Sequence, residues 1–141
     1  MKLFWILPAL ALAGCTAVDV RPVSAGTALP EVCIERNPQV IVPDFVDVLR
    51  DGFARHHVVT RVVEPGATAG CGAVLNYTAL RSWDFKTYLS HAELRLWQDG
   101  RQIGYAEYHL RGKGGLSLAK WAGTREKIDP VIDQLLGAPA S

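Results

Sequence analysis

Residues 88–111 read YLSHAELRLWQDGRQIGYAEYHLR. In the first half Ala92, Leu94 and Leu96 alternate with His91, Glu93, Arg95 and Trp97, the period-two pattern of a strand with one buried and one exposed face. Asp99-Gly100 is the strongest hairpin signal in the chain, because both turn positions demand a positive φ that Asp and Gly tolerate. The return strand runs from Arg101 to about Arg111. Two registers are open. A two-residue turn pairs Gln98 with Arg101 and sets Ile103 and Tyr105 beside Leu96 and Leu94. A three-residue turn with a bulge at Gly100 pairs Trp97 with Arg101 and stacks Gly104 and Ala106 against Leu94 and Ala92. The bulged register separates polar from apolar residues more cleanly. It leaves His91, Glu93, Glu107 and His109 on one exposed face.

N-terminal to this hairpin, Ala73 to about Phe85 is a long strand. Val74, Asn76, Thr78, Leu80 and Ser82 lie on one side, and Leu75, Tyr77, Ala79, Arg81, Trp83 and Phe85 on the other. Before it come a short strand at Glu31–Arg36, a helix and a β-branched strand at Val58–Val63. The helix starts after Asp44, a candidate N-cap, and buries Phe45, Val48, Leu49 and Phe53 at helical spacing. At the C-terminal end Ile128, Val131, Ile132, Leu135 and Leu136 form a second apolar stripe. Pro130 either kinks that helix or restarts it with Asp129 as cap, and Gly137 ends it. The order β-α-β-β-β-β-α predicts an α+β two-layer sandwich. Its sheet is mostly antiparallel with four to five strands, and two helices pack on one face.

The N-terminus carries a different message. Lys2 is a short basic region, and Leu3 to Ala13 is almost wholly apolar. That run is too short to span a bilayer, which takes about 20 residues, but it fits a secretory core of about 7–15. Leu12-Ala13-Gly14-Cys15 resembles the lipobox of bacterial lipoproteins. The resemblance implies cleavage before Cys15 and a lipid on its sulfur, the side-chain atom best suited to take an alkyl group. Thr16 after the cysteine favours the outer membrane by the same resemblance. The expected organisation is a signal peptide at 1–14, a lipidated N-terminus and flexible tether at 15–30, a periplasmic domain at 31–137 and a tail at 138–141.

Cleavage removes 14 of the 141 residues and leaves 127, one domain of ordinary size. With 15 basic and 14 acidic side chains the charge is balanced, which gives no argument for a nucleic-acid partner. Of the 3 cysteines, lipidation takes Cys15; Cys33 and Cys71 remain, and in an oxidising compartment they are expected to be joined.

No GxSxG, HExxH or free Cys–His pair is present. Gly112-Lys113-Gly114-Gly115 lacks the phosphate-loop pattern. His56 and His57 are adjacent at a helix end and point apart, so they suit the helix dipole better than chelation. The face with His91, Glu93, Glu107 and His109 is read as solvated, with no metal and no cofactor assigned.

The segments 76–85, 92–96 and 104–108 look like those of a family of small lipoproteins of Gram-negative bacteria. The layout is similar to periplasmic α/β sandwich lipoproteins of envelope assembly. These likenesses imply a non-enzymatic envelope module that binds a protein or glycan, with Trp83, Phe85 and Tyr88 at a strand end as candidate partner contacts. The alternatives are a periplasmic hydrolase or metalloenzyme using His91, Glu93, Glu107, Asp84 or His109, and an inhibitor or immunity-type lipoprotein.

Overall fold

The computed structural model describes residues 16–115 and 117–137. The elements are β1 (Thr16–Arg21), β2 (Glu31–Glu35), α1 (Phe45–Arg55), β3 (Val59–Val63), β4 (Ala73–Asp84), β5 (Lys86–Gln98), β6 (Arg101–Leu110) and α2 (Thr124–Leu135). Short 3-10 turns at Arg111–Gly114 and Leu118–Trp121 link β6 to α2. The expected α+β class holds. The sheet is larger than expected, with six strands in the order β1-β6-β5-β4-β2-β3. Pairing is antiparallel from β1 to β4 and parallel where β2 meets β3 and β4.

The extra strand corrects the tether. Thr16–Arg21 pairs along its length with Tyr105–Leu110, and Val23 is buried with its N–H bonded to the Leu135 carbonyl. The six residues carry no sustained apolar period of their own. They are held by the unpaired ladder groups that β6 presents on that side, which a local reading does not see.

The hairpin register corrects both expectations: the three-residue turn pairing Trp97 with Arg101 does not form, and the two-residue register holds only next to the turn. Asp99 and Gly100, with φ of 52° and 72°, make a two-residue turn that pairs Gln98 with Arg101. An extra residue in β6 then shifts the ladder, so that Leu96 faces Gly104 and Leu94 faces Ala106. The bulge sits past the turn and not within it. It still segregates the faces: Ala92, Leu94, Leu96, Ala106 and Tyr108 are buried.

Both helices cover that apolar face. Phe45, Val48, Leu49 and Phe53 of α1 and Ile128, Val131, Ile132 and Leu135 of α2 are essentially inaccessible to solvent. The helices meet at Gly52, where an added Cβ would lie 2.4 Å from the Ile132 Cδ1, so the lack of a side chain sets the contact. Pro130 neither breaks nor restarts α2, which is continuous through it. Thr124 is the first residue of α2; its hydroxyl donates to Asp44 and joins the two helix starts.

Among the described residues two lysines, Lys120 and Lys127, are buried. Lys127 donates to the carbonyls of Leu89 (2.9 Å) and Lys120. Burial pulls its pKa down from 10.5 to about 8. Tyr105 and Tyr108 shift the other way, to about 12, chiefly because burial disfavours the phenolate. Between pH 8 and 10 the folded chain therefore binds fewer protons at Lys127 than the unfolded chain, and stability rises with pH. Above pH 10 the unfolded tyrosines ionise first and stability falls. The urea midpoint is expected to climb from pH 7.5 to about 9.5 and then drop. Lys127→Met should remove the climb, and a flat wild-type profile below pH 9.5 would contradict the assignment.

Candidate functional site

Two surfaces bear chemistry: the sheet face away from the helices, and the tip where β4 turns into β5. The ladder sorts the open face into cross-strand rows. Arg21, Tyr105, Arg95 and Asn76 form one, Asp19, Glu107, Glu93 and Thr78 the next, and Ala17, His109, His91 and Leu80 the third. Three carboxylates in a row would repel. The flanking rows offset this. Arg95 donates to Glu93 at 3.0 Å, His91 Nε2 lies 3.2 Å from the other Glu93 oxygen, and the Tyr105 hydroxyl donates to Glu107 at 2.7 Å. Burial alone would raise the Glu93 pKa; the hydrogen bonds from Arg95 and His91 and the charge of the Arg95 guanidinium outweigh it and hold the carboxyl below its ordinary value. The Arg95 guanidinium also stacks on the Tyr105 ring, 5.1 Å from its centroid.

The four residues expected on one exposed face are thus together, but as two pairs. His91 stands opposite His109 and Glu93 opposite Glu107. The imidazoles touch, Nδ1 to Nδ1, at 3.2 Å. Among the described residues no three His, Cys, Asp or Glu converge as a metal cluster. Beside the rows lies a shallow groove of about 310 Å³ bounded by Glu35, Asn37, Asn76, Tyr77, Glu93 and Arg95. Asn76 donates to Glu35 across it at 2.8 Å.

At the tip, Trp83 is 73% exposed and Phe85 87%. Phe85 occupies the left-handed region with φ 61°, uncommon for a bulky side chain. The turn is held from behind. The Trp121 indole donates to the Asp84 carbonyl at 2.9 Å, and the Lys120 ammonium pairs with the Asp84 carboxylate while donating to the Gly115 carbonyl at 2.8 Å. Leu118, 78% exposed, sits on the same support.

Tyr88 is a correction: it is 6% exposed, with the Lys127 and Lys120 ammoniums 5.6 and 6.0 Å from its ring centroid. Its parity with Ala92, Leu94 and Leu96 was the signal for burial. Leu118 carried no comparable pattern.

Cys33 and Cys71 are joined by a disulfide. His56 pairs with Asp133 at 2.7 Å, beside an Arg55–Asp133 ion pair at 2.8 Å. Cys15 lies outside the described residues. Among the described residues no helix is long and apolar enough to cross a membrane.

No protein-family model matches this sequence, and no curated protein matches it. Solved structures do share the fold. PelC from Paraburkholderia phytofirmans, a dodecamer, superposes with a TM-score of 0.58 at 13% identity, over 89% of this chain and 99% of that one. A point variant of the same dodecamer gives 0.59 at 13% identity, over 86% and 98%. At that identity the likeness speaks to the fold.

Proposed function

We propose that this chain is a lipid-anchored, non-catalytic envelope module that works as a homo-oligomer, with its aromatic tip turned to the outer-membrane leaflet. The observation that carries the reading is the position of Thr16. It follows the proposed anchor Cys15 directly and pairs with Leu110 at the last rung of β6. The β4–β5 turn, with Trp83 and Phe85, and the support carrying Leu118 lie at this same end of the sheet. A lipid on Cys15 brings that end to the bilayer, and an indole, a phenyl ring and a leucine suit the interfacial zone. This favours a leaflet over a protein or glycan as the partner of the tip, and leaves the polar sheet face for other envelope components. The dodecameric PelC assemblies support the homo-oligomer as a part of the proposal.

Magnitudes separate the roles. At about 0.8 kcal/mol per buried methylene, each acyl chain contributes roughly 10 kcal/mol or more. Two exposed aromatics contribute only a few. Cys15→Ser is therefore expected to move the protein from the membrane to the soluble fraction. Trp83→Ser with Phe85→Ser should leave it membrane-bound but abolish quenching of tryptophan fluorescence by bromolipids. A Cys15→Ser protein that stays membrane-bound with unchanged mass would overturn the anchor. Wild-type fluorescence indifferent to bromolipids would overturn the orientation. Light scattering of the detergent-solubilised chain should give a multiple of the protomer mass; a single-chain mass would overturn the assembly.

A further inference from the structure

We propose that His91 and His109 form a two-imidazole site for a late first-row divalent metal ion, with Cu²⁺ held more tightly than Zn²⁺. The inference is independent of lipidation and of assembly. Three features of the open face carry it.

The first is register. His91 and His109 are directly opposite on adjacent antiparallel strands only because β6 contains one extra residue. An uninterrupted two-residue hairpin would set Tyr108 against His91. The bulge is what brings the second imidazole into place.

The second is the distance. Two ring nitrogens 3.2 Å apart must share a proton, since two bare lone pairs repel and two N–H groups collide. The Glu93 carboxylate lies 3.2 Å from His91 Nε2 and accepts its hydrogen. Neutral His91 therefore presents a bare Nδ1, and the shared proton belongs to His109, a tautomer assigned from the network. Two nitrogens on a tetrahedral ion at about 2.0–2.1 Å stand about 3.3 Å apart. The ion can replace the proton with little change in separation. The rings are tilted by 72°, and His109 is exposed and able to turn its lone pair onto the ion.

The third is the outer shell. Metal-bound histidines commonly donate their second ring N–H to a carboxylate, which fixes the tautomer and raises ligand basicity. Glu93 is already in that position toward His91, and Arg95 holds its other oxygen at 3.0 Å. Imidazole ligands suit Cu²⁺, Ni²⁺ and Zn²⁺, and for a given site Cu²⁺ binds most tightly of the three. Glu93 is engaged by His91 and Arg95, and Glu107 by Tyr105. The remaining coordination positions are therefore open to water or to an oxygen or nitrogen ligand arriving from solvent.

The test uses the untagged full chain in detergent and Cu²⁺ alone, read by calorimetry and electron paramagnetic resonance. One ion per chain is expected, with coupling to two nitrogens. His91→Ala and His109→Ala should each weaken binding at least tenfold. Glu93→Gln should weaken it roughly tenfold without changing the nitrogen count, and joint replacement of His56 and His57 should change nothing. Because His109 is exposed, His109→Ala reports on binding even if His91→Ala perturbs the sheet. Absence of stoichiometric binding, one coupled nitrogen, or affinity that survives His109→Ala would each overturn the site.

Discussion

Replacement of both Cys33 and Cys71 by alanine is expected to lower the unfolding free energy by about 4 kcal/mol, the largest loss foreseen outside the central core. The bond closes a loop of sequence separation 38, for which the chain-entropy model gives that magnitude. Its position explains why little else compensates. The loop encloses α1 and β3, and among the described residues β3 is an edge strand paired only with β2. Cys33 is fully buried in the middle of β2, and Cys71 stands in the turn that leads into β4. The disulfide therefore pins the crossover where the sheet is least supported. Outside it, the Arg61 guanidinium reaches from β3 to within 3.5 Å of the Cys33 sulfur while pairing with Glu31 at 3.0 Å, an exposed contact worth little by itself. Domains of this size have about 5–15 kcal/mol in hand, so the variant should melt roughly 15 °C lower. Urea unfolding of the oxidised protein and the double variant measures the difference. A loss under 1 kcal/mol would mean that strand pairing alone holds the loop.

Much of the architecture could be read from side-chain period, and the failures share a cause. The stripes of α1 and α2 and the alternation in β5 are local signals, and each appears in the folded chain with the expected residues buried, except Leu136, which is half-buried just past the end of α2. The cysteine pair was reachable by counting. By contrast β1 has no pattern that distinguishes it from a linker, since its structure comes from β6, more than 80 residues away. Bulges are equally invisible, because a bulge is a relation between two strands. One in β6 decides that His109, and not Tyr108, faces His91. Another lies where β4 pairs with β5 beyond Leu80; there Ser90 is buried, accepts from Ser82 at 2.9 Å and donates to the Leu80 carbonyl at 3.3 Å. Past that point Trp83 and Phe85 leave the core face that simple alternation with Leu75, Tyr77 and Ala79 gave them. The histidine–carboxylate face was legible as a set of residues. Its division into an imidazole pair and two occupied carboxylates needed the register.

Phe45→Ala is expected to cost 3–5 kcal/mol, about as much as the disulfide, by a different route. Phe45 is the first residue of α1 and has no exposed surface. Its ring lies 5.5 Å from that of Tyr77, tilted by 32°, a geometry that adds about 0.5–1.5 kcal/mol to simple burial. Tyr77 is itself tied to the segment that leads into the helix. Its hydroxyl accepts from the Asn37 N–H at 3.0 Å, and its carbonyl accepts from the Asn37 side chain at 3.0 Å. Sheet, connecting loop and helix start thus meet at one aromatic pair. Truncating Phe45 removes the packing and leaves the hydrogen bonds; Tyr77→Phe does the reverse and should cost only about 1 kcal/mol, the usual net worth of one such bond. The double variant Phe45→Ala, Tyr77→Leu isolates the ring contact, and a coupling near 1 kcal/mol is expected from the cycle. Additive losses would show that each ring packs on the core separately, and the pair would then lose its place as the clasp between α1 and the sheet.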